Sequence, residues 1–147
     1  MRRTTEQREL WGIQNYVQIV MRLRLVRRLV HDIGAGDYSR ELQRNEMRDI
    51  FMALRRVADA SSTPELSGFA TACLLLCERI KALMPSGYLP VALVADWAAT
   101  AEMYLRRPHC SAFATPLLEL LNDPLWHGAL DPAEQARLLR ELSQPFT

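Results

Sequence analysis

Apolar residues along this chain recur at steps of three and four, and no stretch alternates apolar with polar over six residues. The first spacing marks one face of an α-helix, and the missing alternation removes the usual sign of a half-buried strand. No Asn-Gly or Asp-Gly pair is present to turn a hairpin. The pattern therefore predicts an all-α protein. A first helix is expected from about Glu6 to Ile33, stopped by Gly34-Ala35-Gly36, where glycine readily takes the left-handed conformation that ends helices. A second is expected from a cap at Asp37 or Ser39 to about Ala60, with a core stripe of Leu42, Met47, Ile50, Phe51, Leu54, Val57 and Ala58. Ser61-Ser62-Thr63 breaks it.

The third helix is expected to open with Thr63 as N-cap and Pro64 in its first turn. It buries Leu66, Phe69, Cys73, Leu76, Cys77, Ile80 and Leu83 and ends at Pro85-Ser86-Gly87. A fourth begins near Pro90, carries Leu93, Val94, Trp97, Ala101, Tyr104 and Leu105, and breaks at Pro108. A fifth covers about Ser111 to Leu121, before a turn at Asn122-Asp123-Pro124. The last starts at an Asp131 cap with Pro132 behind it and ends near Ser143. Four long helices with short connections predict an antiparallel four-helix bundle over about 6–106. The short helices of 111–143 are expected to pack on it, all within one domain spanning 1–147.

The first helix is the exception to a simple stripe. Ile13, Val17 and Val20 share a side, and Arg24, Arg27, Arg28 and His31 continue along it, while Val26, Leu29 and Ile33 lie roughly opposite. Either the helix joins the bundle only partway along its length, or bends, or its first half packs on a partner or a second copy. The Leu10 to Val20 stretch would then form a homodimer seam.

Composition narrows the classes. Of 147 residues, 49% are hydrophobic and 24% charged, with a formal net charge of +1. That excludes a disordered chain. The longest apolar runs fall far short of the roughly 20 residues of a spanning helix, and no secretion signal is visible at the start, so a cytoplasmic setting is expected. Residues 1–56 carry 12 basic and 7 acidic groups, whereas residues 57–147 carry 6 and 10. That modest asymmetry is weaker than a nucleic-acid footprint, and no helix-turn-helix with a basic recognition helix stands out.

Candidate chemistry is sparse. The three cysteines include Cys73 and Cys77 on an apolar helical run, where they read as small buried hydrophobes without the further ligands a metal needs. His31 lies in the last turn of the first helix, where a cation suits the helix dipole. His109 and His127 lie in proline-bearing turns and are not read as catalytic. No Walker loop, zinc signature or Ser/His/Asp set is present. No catalytic residue, metal or cofactor is expected, and the chain does not read as an enzyme.

One position on the second helix stands out. Met52 has Arg48 four residues before it, and Arg55 and Arg56 three and four after, so these share a helical face. The stretch Phe51-Met52-Ala53-Leu54-Arg55-Arg56-Val57-Ala58, followed by Ser61-Ser62-Thr63-Pro64-Glu65-Leu66-Ser67-Gly68-Phe69-Ala70, resembles a histidine-containing phosphotransfer (HPt) domain. It is most similar to those of the chemotaxis-type kinases that control type IV pili, whose signature runs F-H-T-L-K-G-S-A before a short turn. The segments around Gly87-Tyr88-Leu89-Pro90 and Met103 to Pro108 also look like stretches seen after such modules.

The resemblance implies an HPt-like four-helix bundle. It places Met52 where the family has its phosphorylated histidine, Arg55 where it has a lysine and Arg56 where it has a glycine. A thioether cannot replace imidazole as the nucleophile at neutral pH. The resemblance therefore implies a phosphotransfer-dead regulatory module. It would dock a response-regulator receiver or a histidine kinase through Arg48, Met52, Arg55 and Arg56. Arg24, Arg27, Arg28 and His31 form a secondary candidate surface. The alternative is a helical interaction or dimerisation protein with no two-component link; a ligand site inside the bundle and nucleic-acid binding rank behind both.

Overall fold

The computed structural model of the protein describes residues 5–36, 39–126 and 128–144, with side chains from Asn15 onward except those of Ala35 and Arg40. The described residues form helices α1 (Thr5–Ala35), α2 (Arg40–Ala60), α3 (Ser67–Leu83), α4 (Val91–Arg106), α5 (Ser111–Leu121) and α6 (Pro132–Ser143). Short 3₁₀ turns cover Pro64–Leu66, Met84–Ser86 and Pro124–Trp126. No strand occurs among them, as the periodicity predicted.

The helix ends follow local chemistry, with some corrections. Ser39 caps α2, its hydroxyl accepting from the Leu42 amide at 3.3 Å. At the other end the hydroxyls of Ser61 and Ser62 donate to the carbonyls of Val57 and Ala58. The Ser61 amide reaches the same two carbonyls, at 3.0 and 3.1 Å, so backbone and hydroxyls together close the helix end. Asp131 caps α6 by accepting from the Ala133 amide at 3.2 Å.

Thr63 makes no such bond, and Pro64–Leu66 winds as a 3₁₀ turn, so α3 proper begins at Ser67. The Gly34-Ala35-Gly36 stop also works differently from expectation. α1 runs through Gly34 to Ala35, and the one glycine with a left-handed backbone among the described residues is Gly87, at φ 67°. The proposed Asp37 cap lies outside the described residues.

α1 does keep one apolar face. Ile19, Leu23, Val26, Val30 and Ile33 are all buried, with Val20 beside them and Tyr16 half-buried. These follow one another at alternating steps of four and three. Of the side shared by Ile13, Val17 and Val20, Val20 is buried and Val17 is exposed. Counting from Val17 rather than Ile19 put the helix out of phase. The side chain of Ile13 and the Leu10 end of the proposed seam lie outside the described side chains.

Leu42, predicted in the α2 stripe, is 51% exposed. It stands five residues before Met47, about 140° around the helix from it, in the first turn of α2. Phe51 and Leu66 are half-buried and pack against the core, while the other predicted core residues of α2, α3 and α4 are buried.

One continuous core runs from Ile19 in α1 to Leu142 in α6. Neighbouring helices form a closed ring in the order α1, α2, α3, α6, α5, α4 and back to α1, with α5 also touching α3. Its centre is aromatic. Phe69 of α3 stacks on Trp97 and Tyr104 of α4, with ring centroids 6.1 and 5.6 Å apart. The Tyr104 hydroxyl donates to the Leu142 carbonyl at 2.8 Å, tying α4 to α6. The α5 and α6 helices supply fully buried Leu117, Leu121 and Leu142 to this core. Elsewhere Arg44 of α2 reaches the end of α3, donating to the carbonyls of Met84 and Pro85 at 3.1 and 2.7 Å.

Candidate functional site

The α2 helix turns Met47, Ile50, Leu54 and Val57 into the core. The same winding leaves Arg48, Met52, Arg55 and Arg56 on its outer side, and all four are exposed, Met52 by 48%. The sequence-predicted patch is therefore one surface. It is less basic than its arginines suggest. Asp49 and Asp59 are also exposed and share that side of the helix, so two carboxylates offset two of the three guanidinium groups. Arg56 and Asp59 line a shallow cleft with Gln18 and Arg22 of α1.

A thiol lies below this face. Cys77 of α3 is buried with its Sγ 3.8 Å from the Phe51 carbonyl. Burial pushes its pKa up to about 12, against a smaller opposing effect of the Arg55 charge. Cys73 is raised as well, again chiefly by burial. Both are neutral thiols and weak nucleophiles at physiological pH. They line the α3 core as the reading of small buried hydrophobes expected, and Cys110 is half-exposed.

The secondary surface is a shaped one. Arg24, Arg27, Arg28 and His31 of α1 rim an open groove against the start of α4, floored by Val30, Val91, Ala92 and Ala95. Two of the three arginines are engaged. Glu102 of α4 accepts from Arg24 Nε at 3.3 Å and from Arg27 Nη1 at 2.9 Å. Its carboxylate is only 12% exposed, whereas both arginines are well exposed. Solvent and salt reach the exposed arginines and screen such a pair, so it fixes geometry more than it adds stability. Arg28 has no acceptor among the described residues, and His31 Nδ1 lies 3.9 Å from an Asp32 carboxylate oxygen.

Sequence reasoning reached one further surface only at Val17 and missed another. Val17, Met21 and Leu25 form an exposed apolar row on α1; their step of four was the available signal. On the far flank of α4, Asp96, Glu119 and Asp123 line a cleft with Ala99, Thr100, Met103, Pro116 and Leu120. These carboxylates come from two helices and a turn, so no local spacing brings them together.

Conventional catalytic groupings do not form among the described residues. His31 is exposed on α1, and His109 is half-buried in the α4–α5 connection at φ 70°. His127 lies outside the described residues. No three His, Cys, Asp or Glu side chains converge as a metal cluster among the described residues. No described helix is long and apolar enough to cross a membrane. Trp97 Nε1, His109 Nδ1 and Arg79 Nη2 are buried without a hydrogen-bond partner, but they line none of the three grooves above. Against protein-family models, curated proteins and solved structures, the chain matches none.

Proposed function

We propose that the protein is a non-catalytic regulatory binding module of a two-component or chemotaxis-like pathway in the cytoplasm. In this reading it is a phosphotransfer-type helical domain without the phospho-accepting histidine. Helices α1–α4 correspond to the four helices of such a module, and α5 and α6 cover the α3–α4 side. The observation that carries the reading is the exposure of Met52, at the acceptor position, among Arg48, Arg55 and Arg56. Receiver domains present an acidic phosphorylation pocket ringed by apolar residues. A methionine supplies adaptable contact there, and the arginines steer encounter.

Two measurements test it. Titration against purified receiver and kinase domains should give a complex that weakens with salt. Arg48→Glu with Arg55→Glu should weaken it further, with the thermal midpoint within a few degrees of wild type. A complex indifferent to that double reversal would place the interface elsewhere. Incubation with a phosphorylated receiver, or with an active kinase and labelled ATP, should leave the protein unlabelled. Acid-labile phosphate on His31, His109 or His127 would overturn the reading.

The second reading is a helical interaction protein outside two-component signalling. The exposed row Val17, Met21 and Leu25 favours it, because contiguous exposed apolar surface marks interaction sites. Alanine at all three positions would then abolish binding that the α2 reversals leave intact.

A further inference from the structure

α4 separates two flanks of opposite charge. On the α1 side stand Arg24, Arg27, Arg28 and His31, the first two bonded to the carboxylate of Glu102. Asp32, beside His31, stands at the edge of that side. On the α5 side stand Asp96, Glu119 and Asp123, and no arginine or lysine lines that cleft. Each flank keeps charge that the chain itself leaves unpaired, Arg28 on one side and Asp96 with Glu119 on the other. Of the acidic three, only Asp123 has a polar partner among the described residues, its Oδ1 accepting from the Leu125 amide at 2.9 Å.

The two flanks occupy overlapping stretches of α4. The basic groove runs beside Val91, Ala92, Ala95 and Glu102, and the acidic cleft beside Asp96, Ala99, Thr100 and Met103. Between them the helix presents mainly small side chains, Ala92, Ala95 and Ala99, with exposed Met103 at one end.

We propose that two copies of the chain associate about a twofold axis running along α4, each laying its basic groove on the other's acidic cleft. A twofold parallel to the helix exchanges its left and right flanks while keeping position along it. Opposite charges at the same level therefore meet twice, as an isologous contact requires. Arg28 and His31 of one copy face Asp96 and Asp123 of the other, and the alanines let the two helices approach. An unrelated acidic partner would satisfy the basic groove alone and leave the acidic cleft unanswered. The α2 face lies outside this contact, so the inference stands independently of the proposed function.

Sedimentation equilibrium and native mass spectrometry of the full chain test it. At low ionic strength the wild type should be a dimer and nothing larger. It should dissociate as salt shortens the screening length to about 3 Å at 1 M. Arg28→Glu alone, and Asp96→Arg with Glu119→Arg, should each weaken the dimer by about tenfold or more, because like charges then face each other twice. Circular dichroism should show each variant folded, since these side chains are exposed. Mixing the two variants should restore the dimer as a one-to-one heterodimer, in which the reversed charges at positions 28, 96 and 119 again meet as opposites. A wild type that stays monomeric, a dimer indifferent to both reversals, growth into open chains, or a mixture that fails to pair would each overturn the proposal.

Discussion

Gly68, near the start of α3, touches α6 backbone to backbone. A Cβ there would lie 2.7 Å from the Glu141 carbonyl carbon and 2.9 Å from the Leu142 amide nitrogen. Replacing a helical glycine with alanine normally gains about 1 kcal/mol. Here overpacking, at about 1–3 kcal/mol, opposes that gain, and the backbone atoms in the way cannot swing aside. Gly68→Ala should therefore lower the urea midpoint; a raised midpoint would mean that α6 yields. The buried thiols give a second expectation. Folding holds Cys77 protonated up to about pH 12 and raises Cys73 and Tyr104 as well, mainly by burial, whereas an unfolded cysteine ionises near its ordinary 9.0. Above that pH the unfolded chain sheds protons that the folded chain keeps, so stability should be full below about pH 9 and fall toward pH 12. Denaturant midpoints across that window check the sign, and Cys73→Ala with Cys77→Ala should flatten the decline. At this scale the burial of the cysteines was legible, because both sit on an apolar stripe. The role of Gly68 was not, because its neighbour is more than 70 residues away in sequence.

Capping shows which elements are determined locally. Ser39 and Asp131 each bond an amide in their own first turn, and both were readable as caps. Ser39→Ala should cost about 1 kcal/mol in a denaturant melt. Thr63→Ala should cost much less, since Thr63 makes no capping bond. Equal losses would mean that the two serve the same purpose. The exposed patch on α2 was legible for the same reason: Arg48, Met52, Arg55 and Arg56 share one helix, so periodicity alone sets their side. The acidic members of that patch, Asp49 and Asp59, needed only the same count. α1 resisted because it bears apolar residues on two sides, buried Ile19, Leu23 and Val26 and exposed Val17, Met21 and Leu25. Periodicity finds both rows without saying which one faces the core.

For the whole molecule, the aromatic centre joins elements that no single helix pattern connects. Phe69 lies at the middle of the stack with Trp97 and Tyr104 and is fully buried. Phe69→Ala should cost about 3–5 kcal/mol in a denaturant melt. A loss under about 1 kcal/mol would contradict its central place. The all-α class was readable from the spacing of apolar residues. The ring order was not, because which helix sits beside which depends on contacts between distant turns. Such contacts include Arg44 on the end of α3 and Tyr104 on Leu142.

The closing of that ring by α5 and α6 bears on how the chain is made. When a ribosome has released only α1 to α4, the side of α3 and α4 that later meets Leu117, Leu121 and Leu142 is open to water. Phe69 and Trp97 then lack part of their cover. Such exposed apolar surface is what chaperones engage and what aggregates when release is slow. Nascent chains stalled with residues up to 110 outside the exit tunnel should therefore be cut readily by protease within α3 and α4, and chains stalled after full emergence of α6 should resist. Equal protection of both would mean that the first four helices fold to completion without waiting for the rest.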